Sequence, residues 1–141
     1  MLKDEFGKYY FDGNYNCAES LIRAANDYYQ LGIEDRDMIL FGGYGAGIQC
    51  GNTCGAMLAA VAVLSLRYIP AKAHESADIT PVVNLFAERF QKKMGTGDLL
   101  CSRIKPLHFQ EGFRCRATVA AACDLLEQVI ADYDAQKAET L

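Results

Sequence analysis

Apolar residues recur along this chain at three- and four-residue spacing, and the strict alternation of a half-buried strand is scarce, so the pattern predicts an all-α fold. A first helix is expected over about Leu2 to Phe11, with Phe6, Tyr9 and Tyr10 at helical spacing, and Asp12-Gly13-Asn14 breaks it. Asn14 or Asn16 then caps a second helix to about Tyr29, whose stripe is Cys17, Leu21, Ala24 and Tyr28. Gly32 ends that element. A short helix from Glu34 to Phe41 runs into a glycine loop, Gly42-Gly43-Tyr44-Gly45-Ala46-Gly47.

The next segment, Asn52 to Tyr68, is apolar nearly all round, which predicts a helix inside the bundle, its alanines letting neighbouring backbones come close. Thr80-Pro81 opens a helix carrying Val82, Leu85, Phe86, Phe90 and Met94, and Gly95-Thr96-Gly97 closes it. Asp98 starts a short turn holding Cys101, followed by a loop from Ser102 to Arg114. The last helix is expected from Cys115 to about Tyr133, with Val119, Ala122, Leu126, Val129 and Ile130 inward, and Asp134 to Leu141 forms a polar tail. The expected architecture is a compact bundle of five to six helices around an apolar central one. Residues 1–141 make a single domain, with 1–12 as its N-terminal helix and 134–141 as its tail.

Composition narrows the classes. At 141 residues the chain buries a real core without disulfide staples. Its net charge is −4 and its longest basic run is Lys92-Lys93, which leaves no footprint for nucleic acid. The N-terminus is charged and lacks an apolar signal region, and the longest apolar stretch, Gly55 to Leu66, is too short to span a bilayer. A cytoplasmic protein with no membrane contact is expected. Cysteines there stay reduced unless they are catalytic, redox-sensing or metal-bound, and six exceed what packing alone calls for.

The chemistry is therefore sought in sulfur. Cys54 falls in the first turn of the central helix, and Cys17 and Cys115 also lie near helix starts. Unpaired N–H groups and the positive end of the helix dipole favour thiolate at such places, so a lowered Cys54 pKa is expected. Arg114 and Arg116 add positive charge beside Cys115. Helix starts at one end of a bundle would bring Cys17, Cys54, Cys101 and Cys115 into one cluster. Cys50, four residues before Cys54, is a candidate resolving thiol; Cys123, amid alanines in mid-helix, reads as packing. The glycine loop is neither a dinucleotide fingerprint nor a P-loop. Its expected role is to take positive φ and deliver Cys54, while N–H groups at Gly45, Gly47 and Gly55 hydrogen-bond sulfur or a bound anion or cofactor.

Taken together, Tyr15-Asn16-Cys17-Ala18-Glu19-Ser20, the glycine loop leading into Cys54-Gly55-Ala56-Met57-Leu58-Ala59, Cys101 after Gly95-Thr96-Gly97, and Cys115 with Val119 resemble a family of small helical redox-active proteins named for the pattern C_GCAxxG_C_C. The likeness runs from about Gly13 to Tyr133. It implies that the family's four cysteines correspond to Cys17, Cys54, Cys101 and Cys115. Ala59 stands where the motif closes on glycine, and Cys50 and Cys123 are additions of this chain. A remote likeness of such proteins to split-Soret cytochromes implies a helical scaffold able to hold a cofactor.

Three readings follow. The first is thiol–disulfide or electron-transfer chemistry centred on Cys54, with Cys50, Cys17 or Cys101 resolving and an unidentified redox partner or small molecule as the other reactant. It requires no cofactor, and the absence of C-x-x-C separates it from thioredoxin. The second is a metal, iron–sulfur or haem site, the metal ligands being Cys17, Cys54, Cys101 and Cys115, with His108 as a substitute. C-x-x-C-H does not occur, which counts against covalent haem; His74, His108 and the methionines offer axial ligands for the non-covalent kind. The third is a non-catalytic helical binding module. Glu19 and Glu88 read as solvated helix faces, no cysteine-hydrolase arrangement is legible, and the apolar central helix suits a homodimer.

Overall fold

The structure is a computed structural model describing residues 1–140. It is all-helical, and among the described residues the only extended pairings are the isolated bridges Thr53–Leu100 and Gln110–Arg114. The helices are α1 (Cys17–Tyr29), α2 (Asp35–Met38), α3 (Gly55–Tyr68), α4 (Ile79–Met94), α5 (Cys101–His108) and α6 (Arg116–Glu139). Short turns of tighter or wider pitch join them, including Leu2–Asp4, Lys8–Asp12 and Ile39–Tyr44.

Helix α1 starts where a complete capping box forms. The Asn16 side chain accepts from the Glu19 N–H at 3.0 Å, and Glu19 Oε1 accepts from the Asn16 N–H at 3.1 Å. Glu19 is thus a capping residue, contrary to its expected reading as a solvated face. Glu88 does lie on an exposed face, 3.4 Å from Lys92. The N-terminal helix expected over Leu2–Phe11 is instead two short turns, separated at Glu5–Gly7. Leu2, Phe6 and Tyr10 nevertheless all reach the core.

Helix α3 packs against α1, α4 and α6. Its Ala56, Ala59, Ala60, Val63 and Leu64 are fully or almost fully buried. It is not enclosed on every side, however. Leu58, Val61 and Ala62 are half-buried and Leu66 is 54% exposed, because three neighbouring helices leave the fourth flank open toward Leu40, Phe41 and Tyr44.

Two boundaries also move. The stretch after Cys101, expected as a loop, is helix α5: Ile104 anchors it in the core at 2% exposure, and the Phe109 N–H closes it on the Lys105 carbonyl at 2.8 Å. Pro106 gives up one backbone donor but does not break so short a helix. At the other end, α6 continues through the expected polar tail to Glu139. Asp134 bonds Arg67 and Tyr68 at 2.6 and 2.8 Å, and Lys137 bonds Asp78 at 2.6 Å, which ties these extra turns to α3 and α4.

Candidate functional site

Each of the four cysteines singled out by pattern sits at the amino end of a different helix. Cys17 and Cys101 are the first residues of α1 and α5, and Cys54 and Cys115 are the capping residues before α3 and α6. Backbone pairing joins two of these ends directly. The Cys54 N–H donates to the Leu99 carbonyl at 2.8 Å and the Cys101 N–H donates to the Asn52 carbonyl at 2.7 Å, on either side of the Thr53–Leu100 bridge.

The glycines expected to bind a cofactor prove to be points of close approach. Gly55 follows Cys54, and a Cβ there would lie 2.8 Å from Cys17 Sγ and 2.7 Å from the Tyr44 carbonyl oxygen, so only glycine lets the Cys17 sulfur settle against the start of α3. Gly45 has an ordinary φ of −61° and is required because the Asn16 side chain fills the space of a Cβ. The same Asn16 donates to the Gly42 carbonyl at 2.9 Å, pinning the glycine loop to the cap of α1. Gly47 does take positive φ, +63°, and a Cβ there would meet the Cys101 Cβ at 2.6 Å.

Around Gly47 the backbone makes a left-handed turn. Ala46, Ile48 and Gln49 have φ of 52°, 58° and 61°. A β-branched residue in this region is an outlier, and left-handed geometry costs about 1–2 kcal/mol per L-residue. The turn is held by contacts at its margins: the Asn52 N–H donates to the Gly47 carbonyl at 2.8 Å and the Gln49 side chain donates to the Gly45 carbonyl at 3.1 Å.

Cys115 is positioned by residues that its neighbours in sequence do not reveal. Its N–H donates to the Tyr10 hydroxyl at 2.8 Å, and the Arg114 guanidinium stacks 4.1 Å over the Tyr10 ring while bonding the Tyr10 carbonyl. Tyr10 is 105 residues away in the chain, and its helical spacing marked it only as core.

Burial reverses the expected acidity of the sulfurs. Desolvation, with a smaller contribution from Cys17, pushes the Cys54 thiol up to about 12; the amides of Met57 and Ala56 oppose it without overcoming it. The helix-terminus argument for a lowered Cys54 pKa therefore fails: Cys54 is only 4% exposed, and loss of hydration outweighs a few partial charges. Desolvation also leads the upward shifts of Cys17, Cys101 and Cys115. The amide of Ala46 moderates it at Cys17, Lys105 at Cys101, and Lys105 and Arg114 at Cys115. Charge on Cys17 or Cys101 raises both Cys54 and Cys115, and charge on Cys101 raises Cys17.

All six cysteines are free thiols. Cys50 is exposed and donates to the Gly47 carbonyl at 3.6 Å, whereas Cys54 is buried, so the two thiols of that pair face opposite environments. Cys123 is fully buried in α6, where desolvation pushes it up to about 12. Among the described residues no three His, Cys, Asp or Glu side chains are arranged to hold a metal ion, so the ligand set Cys17, Cys54, Cys101 and Cys115 is not preformed. His108 is engaged with the Met94 carbonyl at 2.8 Å, and His74 is exposed.

The profile of the family described as "Putative redox-active protein (C_GCAxxG_C_C)" matches residues 15–129. The chain belongs to that family. No curated protein and no solved structure matches it. The match takes in all six cysteines, the glycine loop and α1 to α5, and it ends within α6, ten residues short of that helix's last residue, Glu139. No helix among the described residues is long and apolar enough to cross a membrane.

Proposed function

We propose that the protein is a thiol–disulfide redox protein whose working pair is Cys17 and Cys54, with Cys101 and Cys115 beside them. The observation that carries this reading is the seat of the Cys17 sulfur against Gly55, the residue next to Cys54, together with the upward push that charge on Cys17 gives the Cys54 thiol. In the reaction two thiols give up two protons and two electrons to an acceptor disulfide, which becomes two thiols while Cys17 and Cys54 join. Raised pKa values keep the reduced pair neutral and unreactive toward solvent at physiological pH. The amides of Ala46, Met57 and Ala56 stand ready to hydrogen-bond a sulfur when it ionises during exchange. A reducing cytoplasm is the setting in which such a pair cycles.

The experiment is mild oxidation of the reduced protein with diamide, followed by intact mass and peptide mapping. A loss of one pair of hydrogens, restored by added thiol and mapped to a Cys17–Cys54 disulfide, is expected. Cys54→Ser abolishes that bond and Cys123→Ser leaves it intact. A chain that forms no disulfide among Cys17, Cys54, Cys101 and Cys115, or one in which only Cys123→Ser matters, refutes the reading.

A further inference from the structure

The four cysteines differ in access. Cys54 is closed off, while Cys101 forms part of the wall of a surface groove of about 540 Å³, a size suited to a small molecule. The left-handed turn supplies one side of the groove through Ala46 and Gln49, and α5 supplies the other through Ser102, Lys105 and Phe109. Lys105 stands one helical turn beyond Cys101 on the same face. Its ammonium lies 5.1 Å from the centroid of the Phe109 ring, and among the described residues it makes no ion pair. The neighbouring cation, Arg103, is already neutralised by Asp98 at 2.9 Å. The groove thus presents one sulfur, one unneutralised positive charge and an aromatic face.

We propose that this groove is where the protein exchanges electrons with a small disulfide carrying carboxylates, and that Cys101 is the sulfur that meets it. The inference rests on the thiol–disulfide reading above. Lys105 pairs with a carboxylate of the ligand, and the ligand's aliphatic stem lies on Phe109. Cys101 loses its proton to solvent, and its thiolate attacks one sulfur of the ligand R–S–S–R. The ligand's S–S bond breaks, R–S⁻ leaves and takes up a proton, and Cys101–S–S–R remains. The Cys17 thiolate then attacks Cys101 Sγ, releasing the second R–SH and leaving a Cys17–Cys101 disulfide. Attack by Cys54 on Cys17 moves that disulfide to Cys17–Cys54 and returns Cys101 to the thiol. In sum, two protein thiols become one disulfide and one ligand disulfide becomes two thiols. Lys105 favours the Cys101 thiolate as well as the ligand, so the first step starts at the sulfur best placed for it.

The net charge of −4 makes the charge preference a demanding test, because the molecule as a whole repels anions. Reduced protein is treated with three disulfides of similar size: anionic dithiodiglycolate, neutral bis(hydroxyethyl) disulfide and cationic cystamine. Quenched samples are mapped by mass spectrometry, and exposed Cys50 serves as the internal reference. Cys101 is expected to react about tenfold faster with the anion than with the cation, the effect of one charge-assisted contact, while Cys50 shows the reverse order. In Cys17→Ser the mixed disulfide accumulates on Cys101. Lys105→Gln, an exposed change that spares the core, removes the anion preference. The proposal is overturned if Cys101 shows no anion preference relative to Cys50, if Lys105→Gln leaves that preference in place, or if the mixed disulfide in Cys17→Ser forms elsewhere among the four. Should diamide form the Cys17–Cys54 bond while any of these holds, the groove is wrong and the redox pair stands; should diamide form no bond among the four, both fall.

Discussion

The burial of Cys54 makes a quantitative prediction about its reactivity. An ordinary thiol with a pKa of 9.0 is about one-tenth thiolate at about pH 8, whereas one pushed up to about 12 is about one part in ten thousand ionised. Since the thiolate is the attacking form, alkylation of Cys54 in the folded protein should be about a thousandfold slower than that of an unperturbed thiol, before steric exclusion is counted. The assay is iodoacetamide labelling of the reduced protein across pH, with each cysteine followed by peptide mass spectrometry. Exposed Cys50 should label first and Cys54 should track Cys123, the other sulfur held near 12. Labelling of Cys54 with a midpoint at or below about 8.5, the value of a free thiol, would refute the reasoning and restore the helix terminus as the dominant influence.

Two further outcomes follow from the same geometry. Cys54 and Cys123 stay protonated in the folded chain up to about 12, while the unfolded chain ionises near 9.0, so above that pH the unfolded state binds fewer protons and stability falls as pH rises. The stability they contribute is complete below 9.0 and is lost on the way to 12; between about pH 8 and pH 10 the loss is about 1.4 kcal/mol per thiol, readable from urea midpoints, and a flat profile would contradict it. Gly55→Ala drives a methyl to within 2.7 Å of a backbone oxygen and 2.8 Å of Cys17 Sγ, so it should cost about 1–3 kcal/mol by urea unfolding and disturb the Cys17–Cys54 pair, whereas an unchanged midpoint would show that the close approach is not tight.

Much of the fold was legible because it depends on local pattern. The inward residues of α6 and the core stripe of α4 follow from three- and four-residue spacing alone. A cap at Asn14 or Asn16 was equally readable, being a side-chain choice made within three residues, and the structure takes Asn16. The errors lie where distant parts of the chain overrule local signals. Ser102 to Arg114 reads as a loop, yet Ile104 finds a place in the core and α5 forms around it. Asp134 and Lys137 read as a solvated tail until Arg67, Tyr68 and Asp78 appear opposite them.

The site divides in the same way. By itself the sequence singled out Cys17, Cys54, Cys101 and Cys115 and put Cys17, Cys54 and Cys115 near helix starts, because caps, glycines and apolar runs are local features. It also carried the family's pattern, which matches residues 15–129. Only the tertiary structure decided how those sulfurs behave. Desolvation sums over every atom packed around a group, and those atoms come from elements far apart in the chain, so Cys54 became a buried neutral thiol instead of an activated one. The same packing set the Cys17 sulfur on Gly55, put Tyr10 under Cys115, and left Cys101 facing a groove with Lys105 unpaired among the described residues. A helix start can favour a thiolate, but whether it does depends on the water that the rest of the fold leaves around it.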